Sequence, residues 1–354
     1  MAPTTVLVTV ALAIAVSTDG GKVAREVLPA YIRITILMVL ILAPVALTEL
    51  VTRNLVDGRA GRAQVLAKLA DRFRTATAAL ATIAPVLLLS LLSAAAGIMK
   101  MLLPSVRPFS WDATFARADE ILFFGSQPWK LTHAFLGDLG PTLIIDRIYT
   151  FWVYLLPIAI AAVTLFAPKF ERARFFLSYA LVIVLLGIIG AYAFSSAGPC
   201  YAPMLSHSLA TQFEPLMGRL HAISANKILW AVEWQDLLWK AHRNQWYGVG
   251  MGISAMPSIH VALAVLYACL LGQFGLFFAW IGRAFVTVIL VGSVHLGWHY
   301  AVDGLASAAA TLLIWHSVTK YLQLTYYVAT LKGERSREPK AQVEQPTAKW
   351  KAAR

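Results

Sequence analysis

The chain has 354 residues, 59% of them hydrophobic and 14% charged, with a net charge of +12. Soluble domains carry about 25% charged residues, so this composition excludes an ordinary water-soluble globule. The basic excess is concentrated in particular stretches between apolar runs, which points to membrane topology and anionic lipid rather than to nucleic acid.

Eight apolar runs occur in chain order, at residues 3–17, 31–51, 77–103, 144–167, 175–195, 257–271, 276–294 and 300–321. Several approach the ~20 residues that a helix needs to cross the hydrocarbon core. Backbone groups in lipid must be paired within the segment, and runs of this length suit helices rather than barrel strands. The expected fold is all-α: a polytopic transmembrane helical bundle of about seven to eight spans, with interfacial helices on the outer face.

Four regions follow from this pattern. Residues 1–103 hold the N-terminal spans and a basic loop, and residues 104–140 form an outer interfacial segment. Residues 141–330 form a core carrying the chemistry, and residues 331–354 a polar, basic, disordered tail. Stretches 52–76, 168–174, 273–283 and 332–354 hold seventeen Lys and Arg, against nine in the alternate connections 18–30, 104–140 and 196–256. The bias assigns the first set, and both termini, to the cytoplasm. Trp129, Trp230, Trp234, Trp239 and Trp246 fall in the opposite connections, as expected of helices lying along a membrane interface. Cys200 and Cys269 have no metal or disulfide spacing.

Ionisable groups at the edges of apolar runs are costly and mark functional candidates. Two segments carry them, "SAMPSIHVALA" from Ser254 and "GSVHLGWHYAVDG" from Gly292, both at the non-cytoplasmic ends of their spans. Pro257 suits the first turn of a helix. Free amides there, with Ser258 beside them, attract an anion such as phosphate, and His260 stands at the mouth of that site. His299 and Asp303 are four apart, so on a helix they share a face. The carboxylate can then hold one ring nitrogen and leave the other as nucleophile or base. His295 joins them if the helix continues through Gly297. A zinc site from these residues is disfavoured, since a helix N-terminus draws anions and His-Glu-x-x-His is absent. Ser258 lacks the Gly-x-Ser-x-Gly setting of a serine hydrolase. No metal and no cofactor is expected.

At these residues the chain resembles the type 2 phosphatidic acid phosphatase superfamily. Pro257, Ser258 and His260 match its Pro-Ser-x-His, and His299 and Asp303 match its His-x3-Asp. The resemblance implies that His299 attacks phosphorus and becomes a phosphohistidine. Asp303 would orient it, and His260 would protonate the leaving group. "AMPSIHVA", "HLGWHYAVD" and "SSAGPCY" are similar to the inositol-phosphorylceramide synthase branch and its bacterial relatives. The family's arginine six residues before the nucleophile is replaced by Ser293. Its Lys-x6-Arg-Pro motif has a literal copy in Lys100, Arg107 and Pro108, far from Pro257 in the chain. Lys100, Arg107, Arg219, Arg243 and His295 therefore compete as phosphate-binding groups.

The implied activity is transfer of a phosphorylated headgroup from a phospholipid to a lipid alcohol such as ceramide or diacylglycerol. The alternative is a lipid phosphate phosphatase, with water as acceptor. A degenerate membrane protein acting in binding or transport is the third reading. Partners are membrane lipids and no nucleic acid. The expected location is a cell membrane, in bacteria the inner membrane, with the site on the extracytoplasmic side.

Overall fold

The computed structural model describes residues 20–335, and among these every regular element is helical. Helices α1 (Gly20–Leu40) and α2 (Leu42–Phe73) follow one another closely, and α2 bends at Gly58, where φ is +64°. Next come α3 (Ala76–Val106), α4 (Asp112–Leu122), α5 (Pro128–Leu136), α6 (Leu139–Phe166) and α7 (Lys169–Ala193). Helices α8 (His207–Asn226) and α9 (Trp230–Asn244) precede α10 (Ile259–Leu271), α11 (Leu276–His295) and α12 (Ala301–Arg335).

Among the described residues six helical segments are long and apolar enough to cross a membrane, and α10 with its following 3-10 turn is a shorter apolar helix. They meet every expected span except 3–17, which lies outside the described residues. Two boundaries differ from expectation. The basic stretch 52–76 is mostly helix rather than loop, because α2 runs on to Phe73 with Arg53 pairing Glu49 and Asp57 one turn away on either side. Helix α12 continues through Arg335, into the stretch expected to be tail from 331, and residues 336–354 lie outside the described residues.

Helix α10 is the hub. Val261, Ala262, Leu263, Ala264 and Leu266 are all buried, so its apolar surface is covered all round. Its neighbours are α6, α7, α11 and α12. The outer helices instead leave Ile144, Phe151, Phe277, Leu312 and Leu313 exposed, as lipid-facing surfaces should. In α7, residues Val182–Gly190 form a π-helical stretch. A Cβ on Gly190 would come within 2.8 Å of the Pro257 ring, and one on Gly187 within 3.3 Å of Ile259. The small residues of α7 thus admit the turn that starts α10.

Local signals account for several ends. Thr75 and Ser206 accept hydrogen bonds from Ala78 and Leu209 and start α3 and α8. Gln245, in the left-handed region, closes α9. Trp230, Trp234 and Trp246 are exposed on the α9 side, in keeping with an interfacial position, but Trp129 is buried against His133 and belongs to the core.

Candidate active site

The turn before α10 and the link between α11 and α12 meet at one end of the bundle. Ser258 is the N-cap of α10, and its hydroxyl accepts from the Val261 amide. Pro257 therefore precedes the cap instead of occupying the first helical position, and its peptide bond with Met256 is cis. His260 lies in the first turn, stacked on Tyr149 at 5.0 Å between ring centroids and tilted against Trp152 at 4.5 Å.

The second segment is not one continuous helix. Helix α11 ends at His295, Gly297 has φ +74°, and α12 begins at Ala301. The carbonyl of Ser293 accepts from the Trp298 and His299 amides, which folds the link back over the end of α11. His299 stands in that link and Asp303 in the first turn of α12. Their approach is nonetheless close, with His299 Nδ1 3.5 Å from Asp303 Oδ2. His299 Nε2 lies 3.4 Å from His260 Nδ1. His299 is 4% exposed and Asp303 0%, so the pair is almost closed to solvent.

Burial, reinforced by the charge of Lys100, lowers the His299 pKa to about 3, while the Ala255 backbone partly favours the charged form. The ring is neutral at physiological pH, with a lone pair free on one nitrogen. The Lys100 charge acts on both histidines. Lys100 stands near the end of α3, and its backbone and inner methylenes pack on Gly252, where a Cβ would lie 2.8 Å from Lys100 C and Cγ. A cavity of about 140 Å³ opens beside it, lined in part by Met101, Ser105, His242, Gln245, Tyr247 and Gly252.

Three expected residues, His260, His299 and Asp303, are brought together, Ser258 caps the helix that carries His260, and the charge of Lys100 bears on both rings. The other candidates lie elsewhere. Across the break at Gly297, His295 and His299 take different partners. The His295 ring nitrogens face Thr142 at 3.0 Å and Thr132 at 3.3 Å, and its ring lies 4.2 Å from that of His133. Arg219 donates to the Gly137 carbonyl on that same side. Arg243 is exposed in the last turn of α9. Arg107 is exposed just past α3, and its carbonyl accepts from Ser195. Ser293, at the place of the family arginine, is buried and bonds the Leu290 carbonyl.

Two carboxylates that no sequence motif marked, Asp112 and Asp119, help hold the site together, along with the "SSAGPCY" loop. Asp112 accepts from the Ala197 and Gly198 amides and from the Tyr300 hydroxyl. Asp119 accepts from the Ala301 and Val302 amides at 2.7 and 2.8 Å. The loop from Ser195 to Tyr201 stitches both motif segments: Ser196 takes the Ala255 and Met256 amides, and the Cys200 amide bonds the Gly297 carbonyl. Among the described residues no cluster of three or more His, Cys, Asp or Glu is arranged to hold a metal ion.

The family model described as PAP2 superfamily matches residues 113–317, more than half of the chain. The match takes in α4 and α5 as well as both motif segments. No curated protein and no solved structure matches the chain.

Proposed function

Because this chain belongs to the PAP2 superfamily, and so to enzymes of the lipid phosphatase and phosphotransferase type, we propose that it moves a phosphorylated headgroup between membrane lipids through a phosphohistidine on His299. The carrying observation is the order Asp303, His299, His260 at 3.5 and 3.4 Å, within reach of the Lys100 charge. A nucleophile flanked by an orienting acid on one side and a proton carrier on the other is the arrangement that covalent catalysis needs.

In the first half-reaction the Nε2 lone pair of His299 forms a bond to phosphorus. The phosphorus–oxygen bond to the donor's lipid alcohol breaks, and the departing oxygen takes a proton from His260. In the second, the acceptor hydroxyl gives its proton to His260, its oxygen attacks phosphorus and the nitrogen–phosphorus bond breaks. Lys100 offsets the negative charge that builds on the phosphoryl oxygens. Asp303 offsets the positive charge on the substituted ring of His299. The two ring nitrogens are too close for phosphorus to sit between them, so substrate must part them.

Near-complete enclosure of His299 and Asp303 favours a lipid alcohol over water as acceptor. The adjoining cavity favours a headgroup larger than bare phosphate. The distribution of Lys and Arg supports a site on the extracytoplasmic face and termini in the cytoplasm. The test is purified protein in vesicles containing phospholipid labelled in its headgroup phosphate, with and without a lipid alcohol. Label appearing on the alcohol supports transfer. Label released only as a water-soluble phosphate, whether or not alcohol is present, overturns it in favour of hydrolysis.

A further inference from the structure

The link carrying His299 has no regular structure of its own, so its shape depends on what holds its backbone. Ser293 takes two of its amides, and Asp303 takes that of Tyr300. The amides of Ala301 and Val302, which open α12, go to Asp119 on α4. A helix start is ordinarily capped by the residue just before it; here the carboxylate arrives from a helix far away in the chain. Seven residues earlier on α4, about two turns and so on the same face, Asp112 grips the Tyr300 hydroxyl. It also grips the Ala197–Gly198 amides of the loop that holds Ala255 and Met256. One face of α4 thus holds the His299 link directly and the turn before α10 through the Ser195–Tyr201 loop. Asp119 and His299 also line one small cavity of about 10 Å³. Asp303 commits one oxygen to Tyr300, while its other oxygen has no hydrogen-bond partner, so it fixes the link only locally.

We propose that Asp112 and Asp119 are positioning residues for the nucleophile, holding the His299 link in register with the Pro257–His260 turn. The inference rests on the reading of His299 as nucleophile. Two α4 carboxylates, outside both motifs, set the distance between the groups that exchange the proton and the phosphoryl group. Misplacement of reacting groups by about 1 Å costs on the order of 100-fold in rate.

The experiment uses the full-length protein with Asp119→Asn and Asp112→Asn, each keeping one side-chain oxygen as acceptor. Steady-state kinetics on lipid substrate should show kcat reduced on the order of 10- to 100-fold with KM within about twofold. Asp146→Asn is the control. Asp146 caps α9 through the Trp230 and Ala231 amides in the same manner, without touching the His299 link. It should lower the melting temperature and leave kcat unchanged. Asp119→Glu keeps the charge and should give intermediate kcat, which keeps the proposal testable if the asparagine variants fold poorly. Wild-type kcat in both asparagine variants while His299→Ala is inactive overturns the proposal, as does an equal loss of kcat in Asp146→Asn. Activity surviving His299→Ala overturns the nucleophile reading itself, and this proposal with it.

Discussion

His260 and His299 come from opposite ends of a helical hairpin and meet with ring nitrogens 3.4 Å apart. Their proposed roles are unequal, and so are the expected losses. His299→Ala should abolish turnover and the trapping of labelled phosphate on the protein. His260→Ala should slow label incorporation by about 10²–10⁴, the usual worth of a positioned acid, without abolishing it. Rapid quench with labelled lipid distinguishes the two. Equal residual rates would refute the division of labour.

The charge of Lys100 bears on both rings, whereas Arg243 is exposed on α9. Lys100→Met should cost about 10²–10³ in kcat/KM, as losing one preorganised charge contact does. Arg243→Ala should stay within about threefold, the size of effect that an exposed charge commands. The reverse ranking in a lipid-turnover assay would move the phosphate toward α9.

Gly198 is a mechanical test of the stitched loop. Its φ is +104°, and a Cβ there would come 2.6 Å from the Trp298 carbonyl oxygen. Gly198→Ala combines a strained backbone with a clash against the residue preceding His299. It should cost about 1–3 kcal/mol of stability and depress kcat beyond the fraction unfolded. Thermal melts and active-site titration by label trapping separate these two effects.

Acid stability carries a readable sign. The unfolded chain protonates His299 below about 6.5, while the folded chain refuses the proton until about 3. This residue's contribution is complete above the unfolded value and lost as the pH falls through the window between the two. Asp119 works the other way. Burial raises it from 3.8 to about 6, helped by the charge of Asp303 and opposed by the Val302 and Ala301 amides. The folded chain therefore holds a proton that the unfolded chain has released, and Asp119 lowers stability as the pH rises through that range. Melting curves from pH 7 to 5 should show a smaller acid loss in His299→Gln than in the native sequence. Asp119→Asn should show a larger one.

The spans were legible because runs of about 20 apolar residues are costly anywhere but in a membrane or a core. The meeting of His260 with His299 was legible too, since a hairpin of two apolar helices returns the chain to the side it left. The direction of His295 was not. It depends on α11 stopping at that residue, and the only advance sign was Gly297, suited to a left-handed turn after a helix end. Lys100 showed a literal motif, yet its distance in sequence from Pro257 left its place open until helix packing closed the gap. Asp112 and Asp119 gave the weakest signal. Spacing alone cannot separate a carboxylate that caps a distant helix from one facing water.

Lys100 stands six residues before the last residue of α3, which at the rise of an α-helix is about 9 Å of axial depth. The charge that the proposed mechanism draws on is thus rooted below the level where α3 ends. If the end of α3 lies level with the lipid phosphates, the proposed transfer requires that the headgroup be drawn down or the surrounding leaflet thin before phosphorus meets His299. Hydrophobic mismatch between this bundle and its host bilayer then becomes a determinant of turnover, with acyl-chain length acting on the rate although no acyl chain takes part in the bond changes.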